Sequence, residues 1–183
     1  MCVNEAGSIR LMEEKDVEQV EELEKQCFSV PWSENILKDG LTGRFDTYLV
    51  WEKDGIVAGY CALRVLADEG EIQRIAVLPS WRRHGIAKSL MEAMIQVSKE
   101  KGAVQMSLEV RESNTGARKL YENYGFIQEA VRKNYYENPV EMPASCGNMS
   151  CKKLPVKTGI KSVYNGEGRE TFLSFVYGKV TFR

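Results

Sequence analysis

Residues 75–91 read IAVLPSWRRHGIAKSLM, and this stretch decides how the rest of the chain is interpreted. Its first residues, 75–78, are apolar and end at Pro79, which predicts a buried strand that stops there. From Lys88 the chain has a helical pattern that ends at Gly102, with apolar side chains at Leu90, Met91, Met94, Ile95 and Val97. The stretch therefore predicts a strand, a short loop and a helix in direct succession.

The loop RRHGIAK at 82–88 has the properties of an anion-binding site. Gly85 lets backbone N–H groups approach a ligand closely, and the helix that starts there adds the positive end of its dipole. Arg82, Arg83 and Lys88 add full positive charges. A pyrophosphate suits such a loop. A basic, exposed loop that only begins a helix has the same composition, so the loop alone leaves both interpretations open.

Further strands are predicted on both sides of this unit. SIRLM at 8–12 is the first, and residues 47–66 contain two β-rich runs joined by Asp54-Gly55, a pair that tolerates the positive φ of a hairpin turn. Three more strands are predicted at 71–78, 104–111 and 126–136.

Three further helices are predicted from apolar residues at helical spacing. Asp16 is expected to cap the first, whose inward face comprises Val17, Val20, Leu23, Glu24 and Cys27. Ser33 is expected to cap a short second helix to about Lys38, and Asn114 begins a third that ends at Gly125. Because helices and strands are mixed without internal repeats, we expect an α/β fold with a mixed sheet.

Two reactive side chains, Glu109 and Tyr121, lie in the stretch 108–126, LEVRESNTGARKLYENYGF. Alternation along the strand places Glu109 on the polar face, where it is either a solvated carboxylate or a proton acceptor. Tyr121 lies beside Leu120 and Tyr124 on the apolar stripe of the next helix, so it is either a core residue or a proton donor. The pattern alone does not decide between these roles.

The composition argues against several classes of function. The 183 residues are 43% hydrophobic and 28% charged with a formal net charge of −1, so we expect no affinity for nucleic acid or an anionic membrane. Because no apolar run is as long as a membrane span and MCVNEAGSIR lacks a signal core, we expect a cytoplasmic protein. Five cysteines without paired spacing fit a reducing compartment, and with His84 as the only histidine no metal site is expected.

Several separated motifs together resemble the GNAT superfamily of N-acetyltransferases. IAVLPSWRRHGIAKSLM fits its acetyl-CoA signature, Gln/Arg-x-x-Gly-x-Gly/Ala, as Arg82-x-x-Gly85-x-Ala87. VPWSE (30–34), LEVRESN (108–114) and RKNYY (132–136) are similar to the RimI group, which acetylates the N-terminal alanine of a small-subunit ribosomal protein. The resemblance runs from about Ile9 to Glu141 and implies a GNAT acyl-CoA N-acyltransferase domain at 8–141.

This resemblance also implies a role for particular residues. Glu109 would be the general base and Tyr121 the general acid, and Trp32 would line the substrate entrance. Asn114 would bind acetyl-CoA near its reactive end. The remaining contacts to acetyl-CoA would come from the strand backbone and the loop: Ile75, Ala76, Val77, Arg83, His84, Gly85, Ile86, Ala87 and Lys88.

The implied partners are acetyl-CoA and the N-terminus of a ribosomal protein. Two alternatives remain. The same chemistry can serve a lysine or a small amine as acceptor, and the domain can also be a catalytically impaired acyl-CoA-binding protein.

The resemblance stops at Glu141, where the RimI group continues with a segment like EDAxIM. This chain has EMPASCGNM instead at 141–149. Deleting one G from GAA GAT GCC AGC ATC ATG TGG AAA TAT G, which encodes E-D-A-S-I-M-W-K-Y, gives codons for EMPASCGNM. We therefore expect that 142–183 is an atypical tail, either produced by out-of-frame translation, which is our hypothesis, or a genuine lineage-specific extension. Its loss of the last family strand would leave a neighbouring strand edge unpaired, and the β-rich segment 171–182 would be free to bind it.

Overall fold

The computed structural model describes residues 7–132, 146–151, 173–176 and 179–182. Seven of the described strands form one mixed sheet, in the order β1-β2-β3-β4-β5-β7-β6. Their bounds are Ser8–Leu11 (β1), Asp46–Lys53 (β2), Ile56–Leu66 (β3), Glu69–Val77 (β4), Gln105–Arg111 (β5), Ile127–Arg132 (β6) and Cys146–Cys151 (β7). Leu173–Val176 (β8) and Lys179–Phe182 (β9) form a separate antiparallel pair.

Four α-helices accompany these strands in the described residues: Val17–Cys27 (α1), Glu34–Thr42 (α2), Ile86–Glu100 (α3) and Thr115–Glu122 (α4). Within the described ranges no helix is both long and apolar enough to cross a membrane. The expected mixed α/β architecture is confirmed.

The described residues divide into two compact units. The first contains 7–62, 74–93 and the β8–β9 pair; the second contains 63–73, 94–132 and 146–151. Strands β3 and β4 and helix α3 therefore contribute residues to each unit.

The first unit is built on an apolar core between α1, α2 and the sheet. Its fully buried members include Val20, Leu23 and Leu37, because the apolar face of α1 points inward as the helical spacing predicts. The β2–β3 hairpin turns at Asp54 (φ 52°) and Gly55 (φ 80°), which confirms the predicted two-residue turn.

The second unit is built around β5. Four residue pairs join β5 in parallel to β4, from Glu69 opposite Gln105 to Ile72 opposite Leu108. Met106, Leu108 and Val110 are buried on one face of β5, as the alternation predicts.

Two helix starts differ from the prediction. Asp16 precedes α1, but its carboxylate makes no capping bond; it accepts hydrogen bonds from the Arg10 guanidinium and from the Glu13 N–H. A charged partner competes successfully with the helix N–H groups because charge-assisted hydrogen bonds are the stronger ones. Ser33 likewise makes no side-chain cap, and α2 continues past Lys38 to Thr42.

The prediction of an unpaired strand edge is wrong. Residues Cys146–Cys151 form β7, which pairs antiparallel with β5 on one side and with β6 on the other. Strand pairing uses backbone N–H and C=O groups, so an atypical sequence can still fill a place in a sheet. The predicted strand at 126–136 is described as β6 up to Arg132, and 133–136 lie outside the described residues.

That residues 142–183 come from out-of-frame translation stays a proposal, because a strand can pair in the sheet whichever reading frame encodes it. DNA sequence of the locus is the test. A hidden family-like frame overlapping codon 142 is expected, and a locus without one would refute the frameshift.

Candidate active site

The loop between β4 and α3 contains two residues in the left-handed region. Arg83 has φ 69° and Gly85 has φ 81°, and such backbone is rare for a residue with a side chain. Left-handed residues next to a helix start turn N–H groups towards a common point, which is how proteins build anion-binding concavities. A Cβ placed on Gly85 would meet no atom within 4 Å, so the space above this glycine is open. The loop geometry therefore suits a pyrophosphate.

The polar side chains of this loop all reach the surface. Arg82, Arg83, His84 and Lys88 are exposed, and His84 Nδ1 lies 3.2 Å from the Trp81 carbonyl. Arg82 also binds the end of the preceding strand: its Nε donates to the Val77 carbonyl at 3.1 Å and its Nη2 to Cys27 Sγ at 3.7 Å. Arg82 thus fixes the start of the loop on the end of β4.

The segment Ile75–Val77 lies at the carboxyl end of β4, beyond the four residue pairs that join this strand to β5. Ile75 is half-buried, whereas Ala76 and Val77 are buried. Besides Arg82, the Cys27 thiol approaches the Val77 carbonyl at 3.5 Å. That carbonyl already has two donors, so a ligand along this segment would pair with the backbone groups of its neighbours.

Glu109 lies on β5, on the opposite face from the buried Leu108 and Val110, and its side chain is exposed. In the sheet it stands opposite Asn148 of β7. This agrees with the polar-face position that alternation predicts. An exposed carboxylate is in contact with solvent, with which it can exchange protons.

Tyr121 lies in α4 and is only 5% exposed. Its ring packs against Phe126 with a centroid distance of 6.0 Å. Burial raises the pKa of the Tyr121 phenol above its ordinary value, so the group keeps its proton at neutral pH. The two interpretations left open for this residue are compatible, since a packed phenol also holds a proton to donate.

Asn114 caps α4. Its side-chain oxygen accepts a hydrogen bond from the Ala117 N–H at 3.2 Å, and the residue is exposed. The structure thus gives Asn114 a structural role beside the cofactor contact that the sequence suggests. Its amide nitrogen is the part of the side chain that a ligand would meet.

Sequence reasoning missed a buried cluster around Glu24. The Glu24 carboxylate has no exposed surface; it accepts a hydrogen bond from the Tyr60 hydroxyl on one oxygen and from the Trp32 backbone N–H, at 2.7 Å, on the other. Arg74 approaches the same carboxylate, with Nε 3.9 Å from Oε1. The signal was visible in the sequence, because Glu24 occupies a position on the apolar face of α1. A charged residue there needs buried partners.

Metal-binding residues are not clustered in the described ranges: no group of three His, Cys, Asp or Glu side chains is placed to hold an ion.

Comparison with known proteins places this arrangement in a family. Residues 17–126 match the model of the acetyltransferase (GNAT) family. The chain is 39% identical over 131 residues to the ribosomal protein bS18-alanine N-acetyltransferase of Haemophilus influenzae, covering 72% of this chain and 88% of that protein.

Two solved structures share the fold. The crystal structure of the Escherichia coli ribosomal-protein-S18-alanine N-acetyltransferase superposes with a TM-score of 0.73 at 28% identity, covering 87% of this chain and 99% of the other. The Salmonella typhimurium protein yncA, solved with acetyl-CoA, has a TM-score of 0.71 at 16% identity and covers 86% and 99% of the two chains. The chain therefore belongs to the GNAT family of acetyltransferases.

Proposed function

We propose that this protein transfers the acetyl group of acetyl-CoA to the N-terminal alanine of a small-subunit ribosomal protein, by direct transfer in a ternary complex in the cytoplasm. The observation that carries the proposal is the 39% identity, over most of both chains, to an enzyme named for alanine acetylation of ribosomal protein bS18. The exposed Glu109 and the buried Tyr121 supply side chains suited to the two proton transfers.

Most of the proposed acetyl-CoA contacts come from the strand end and the loop at residues 75–88. Backbone groups of Ile75, Ala76 and Val77 would pair with the pantetheine arm in the manner of an added strand. The pyrophosphate would bind the loop from Arg83 to Lys88, where left-handed residues, the start of α3 and exposed cationic side chains favour an anion. The resemblance to the GNAT family adds Asn114 as a contact near the reactive end of the cofactor.

Bound acetyl-CoA supplies an acetyl group activated as a thioester. The amine must lose a proton before or as it attacks, and we assign that proton to Glu109, acting through a water molecule. The thiolate that leaves must gain a proton, and we assign the Tyr121 phenol as its donor. Because burial raises the pKa of the Tyr121 phenol, the proton is present on the hydroxyl when the thiolate leaves.

An N-terminal amine is a more suitable acceptor than lysine for such a site. An α-amino group with a pKa near ~8 is about one-tenth neutral at pH 7. A lysine amine, with a pKa near ~10.4, requires about 4.6 kcal/mol to reach its neutral form. One exposed carboxylate working through water is adequate for the first and weak for the second.

The test uses the purified full-length chain, acetyl-CoA and two peptides, with intact mass as the readout. One peptide begins with a free alanine, and the matched peptide is blocked at its N-terminus and carries one internal lysine. We expect a single acetyl group on the first peptide only. Acetylation of the lysine peptide would mean that the acceptor is a lysine. Cofactor binding without acetylation of either peptide would mean that the protein binds acyl-CoA without catalysing transfer.

A further inference from the structure

The segment Phe28–Trp32, which connects α1 to α2, is wrapped around the side chain of Arg74. The Arg74 guanidinium lies over the Phe28 ring at 4.3 Å and over the Trp32 ring at 4.7 Å. Its Nη2 donates to the Val30 carbonyl at 3.2 Å. One side chain on β4 therefore contacts both aromatic rings and one carbonyl of this segment, and all of these residues belong to the first unit.

Glu24 holds the same segment from the opposite direction. Its buried carboxylate accepts the Trp32 N–H and the Tyr60 hydroxyl, and the Arg74 guanidinium provides the positive charge near it. A carboxylate with no exposed surface needs such compensation. Arg74 Nε is buried and makes no hydrogen bond among the described residues, so the stacking and the Val30 contact, rather than a close ion pair with Glu24, fix the orientation of the guanidinium.

The position of Arg74 in the chain connects this cluster to the reaction. Arg74 immediately precedes Ile75–Val77, the segment assigned above to the pantetheine arm, and Ala76 belongs to the core cluster against which Phe28 and Trp32 pack. Val30 at the tip of the segment is 63% exposed. An exposed apolar residue whose carbonyl is bound by Arg74, next to the strand assigned to the cofactor, offers an incoming peptide a surface that is already positioned.

We propose that Glu24, Tyr60 and Arg74 form a positioning network that fixes Phe28–Trp32 as the wall of the acceptor site, with Arg74 acting through Trp32. The proposal rests on the proposed function. None of the three residues touches the reacting atoms, so their effect falls on acceptor binding. Acetyl-CoA binding and the proton transfers at Glu109 and Tyr121 are left unchanged.

The first test replaces Arg74 with lysine, which keeps the charge and removes the planar group that stacks between the two rings. We expect the KM for the alanine-start peptide to rise about tenfold, while kcat and the Kd for acetyl-CoA stay within about twofold. Arg44→Lys is the matched control, because Arg44 stacks on the exposed Phe45 ring at 5.5 Å. A wild-type KM in Arg74→Lys, or an equal rise in Arg44→Lys, would overturn the proposal.

A double-mutant cycle separates positioning from simple destabilisation. If Arg74 acts through Trp32, the KM of the Trp32→Leu, Arg74→Lys double variant should equal that of Trp32→Leu alone. If the two effects multiply, Arg74 does not act through Trp32 and the proposed route is wrong.

A readout that needs no activity distinguishes failure of this inference from failure of the proposed function. The chain contains three tryptophans, and labelling with 5-fluorotryptophan gives each a separate ¹⁹F signal. We expect Arg74→Lys to shift the Trp32 signal. The signals of Trp51 and Trp81, whose ring centroids lie 5.7 Å apart, should stay unchanged. An unshifted Trp32 signal would refute the network even if the wild-type protein acetylates no peptide. A shifted signal with an inactive wild type would refute only the proposed function.

Discussion

Glu24 and Glu109 carry the same carboxylate group in opposite environments, one buried and one exposed. Glu24 has no exposed surface, and each of its oxygens accepts a hydrogen bond from a group fixed by the fold. Glu109 is exposed on a strand whose other face is buried. A buried, fully engaged carboxylate organises the residues around it, whereas one that reaches solvent can exchange protons during a reaction. The two carboxylates therefore differ in their access to solvent, and the catalytic role proposed for Glu109 depends on that access.

The sharpest way to test this comparison is Glu109→Gln. The amide keeps the shape but cannot accept a proton from the amine, so we expect kcat with the alanine-start peptide to fall about a thousandfold at pH 7. Thermal stability should change little because the side chain is exposed. Mass spectrometry of samples quenched at successive times measures the rate. A kcat within about threefold of wild type would show that Glu109 is not the general base.

The same substitution at the buried carboxylate should have the reverse effect. Glu24→Gln removes the negative charge near Arg74 and replaces one accepting carboxylate oxygen with a donating amide nitrogen. We therefore expect the free energy of unfolding to fall by about 3 kcal/mol. Urea unfolding measures this loss. At temperatures where the variant stays folded, kcat should remain near that of wild type, and a thousandfold loss there would show that the two carboxylates are not functionally distinct.

Tyr121→Phe removes the phenol proton and leaves the ring that packs on Phe126. We expect kcat to fall about a hundredfold, with the free energy of unfolding changed by no more than about 1 kcal/mol. The diagnostic measurement is the rate with a leaving thiol of lower pKa in place of coenzyme A, which needs less protonation. The variant should recover part of its rate with that thioester, and the absence of any recovery would argue for a packing role alone.

A third carboxylate, Asp16, offers the smallest effect and a pH dependence. Its side chain is 3% exposed. Burial alone would raise the pKa of Asp16, but hydrogen bonds from Arg10 and from the Glu13 backbone outweigh it, so the pKa lies below its ordinary value. The folded state therefore binds this proton less tightly than the unfolded chain does. The stability that results is present above pH ~4 and is lost as the pH falls through the lowered pKa.

Replacing Asp16 with Asn should remove that stability, about 2 kcal/mol at pH 7. The variant and the wild type should begin to converge in unfolding free energy as the pH falls below ~4. Urea titrations at several pH values measure the convergence, and a constant difference between the two proteins would mean that Asp16 stabilises the fold by shape and not by charge.

The sequence predicted most of the helices and strands because their apolar residues recur at a regular spacing. The Asp54-Gly55 turn, the inward face of α3 and the alternation of β5 follow from local backbone rules and were confirmed. The capping role expected of Asp16 was wrong because a partner distant from the helix start, Arg10, competes for the carboxylate. Local patterns carry no information about such partners.

The residues of the candidate site also fall into two groups, those that local sequence patterns predict and those that they do not. The loop before α3 and the strand position of Glu109 are local features and could be read from the sequence. The buried cluster joins Glu24 to Tyr60, 36 positions further along the chain, and to the still more distant Arg74, so only the folded structure brings it together. Proton-transfer roles for Glu109 and Tyr121 stay predictions, since they depend on bound substrates.

The position of β7 has a consequence for how the chain folds. The strand that pairs with β5 comes after β6 in sequence, yet it lies between them in the sheet. During synthesis β5 and β6 leave the ribosome before the strand that joins them, so this part of the sheet cannot close until residue 151 has emerged. Pairing over such a separation is slow because the connecting chain must first be ordered. Until then the edge of β5 is exposed to other chains, and the yield of folded protein should depend on the speed with which the chain from β6 to residue 151 is made.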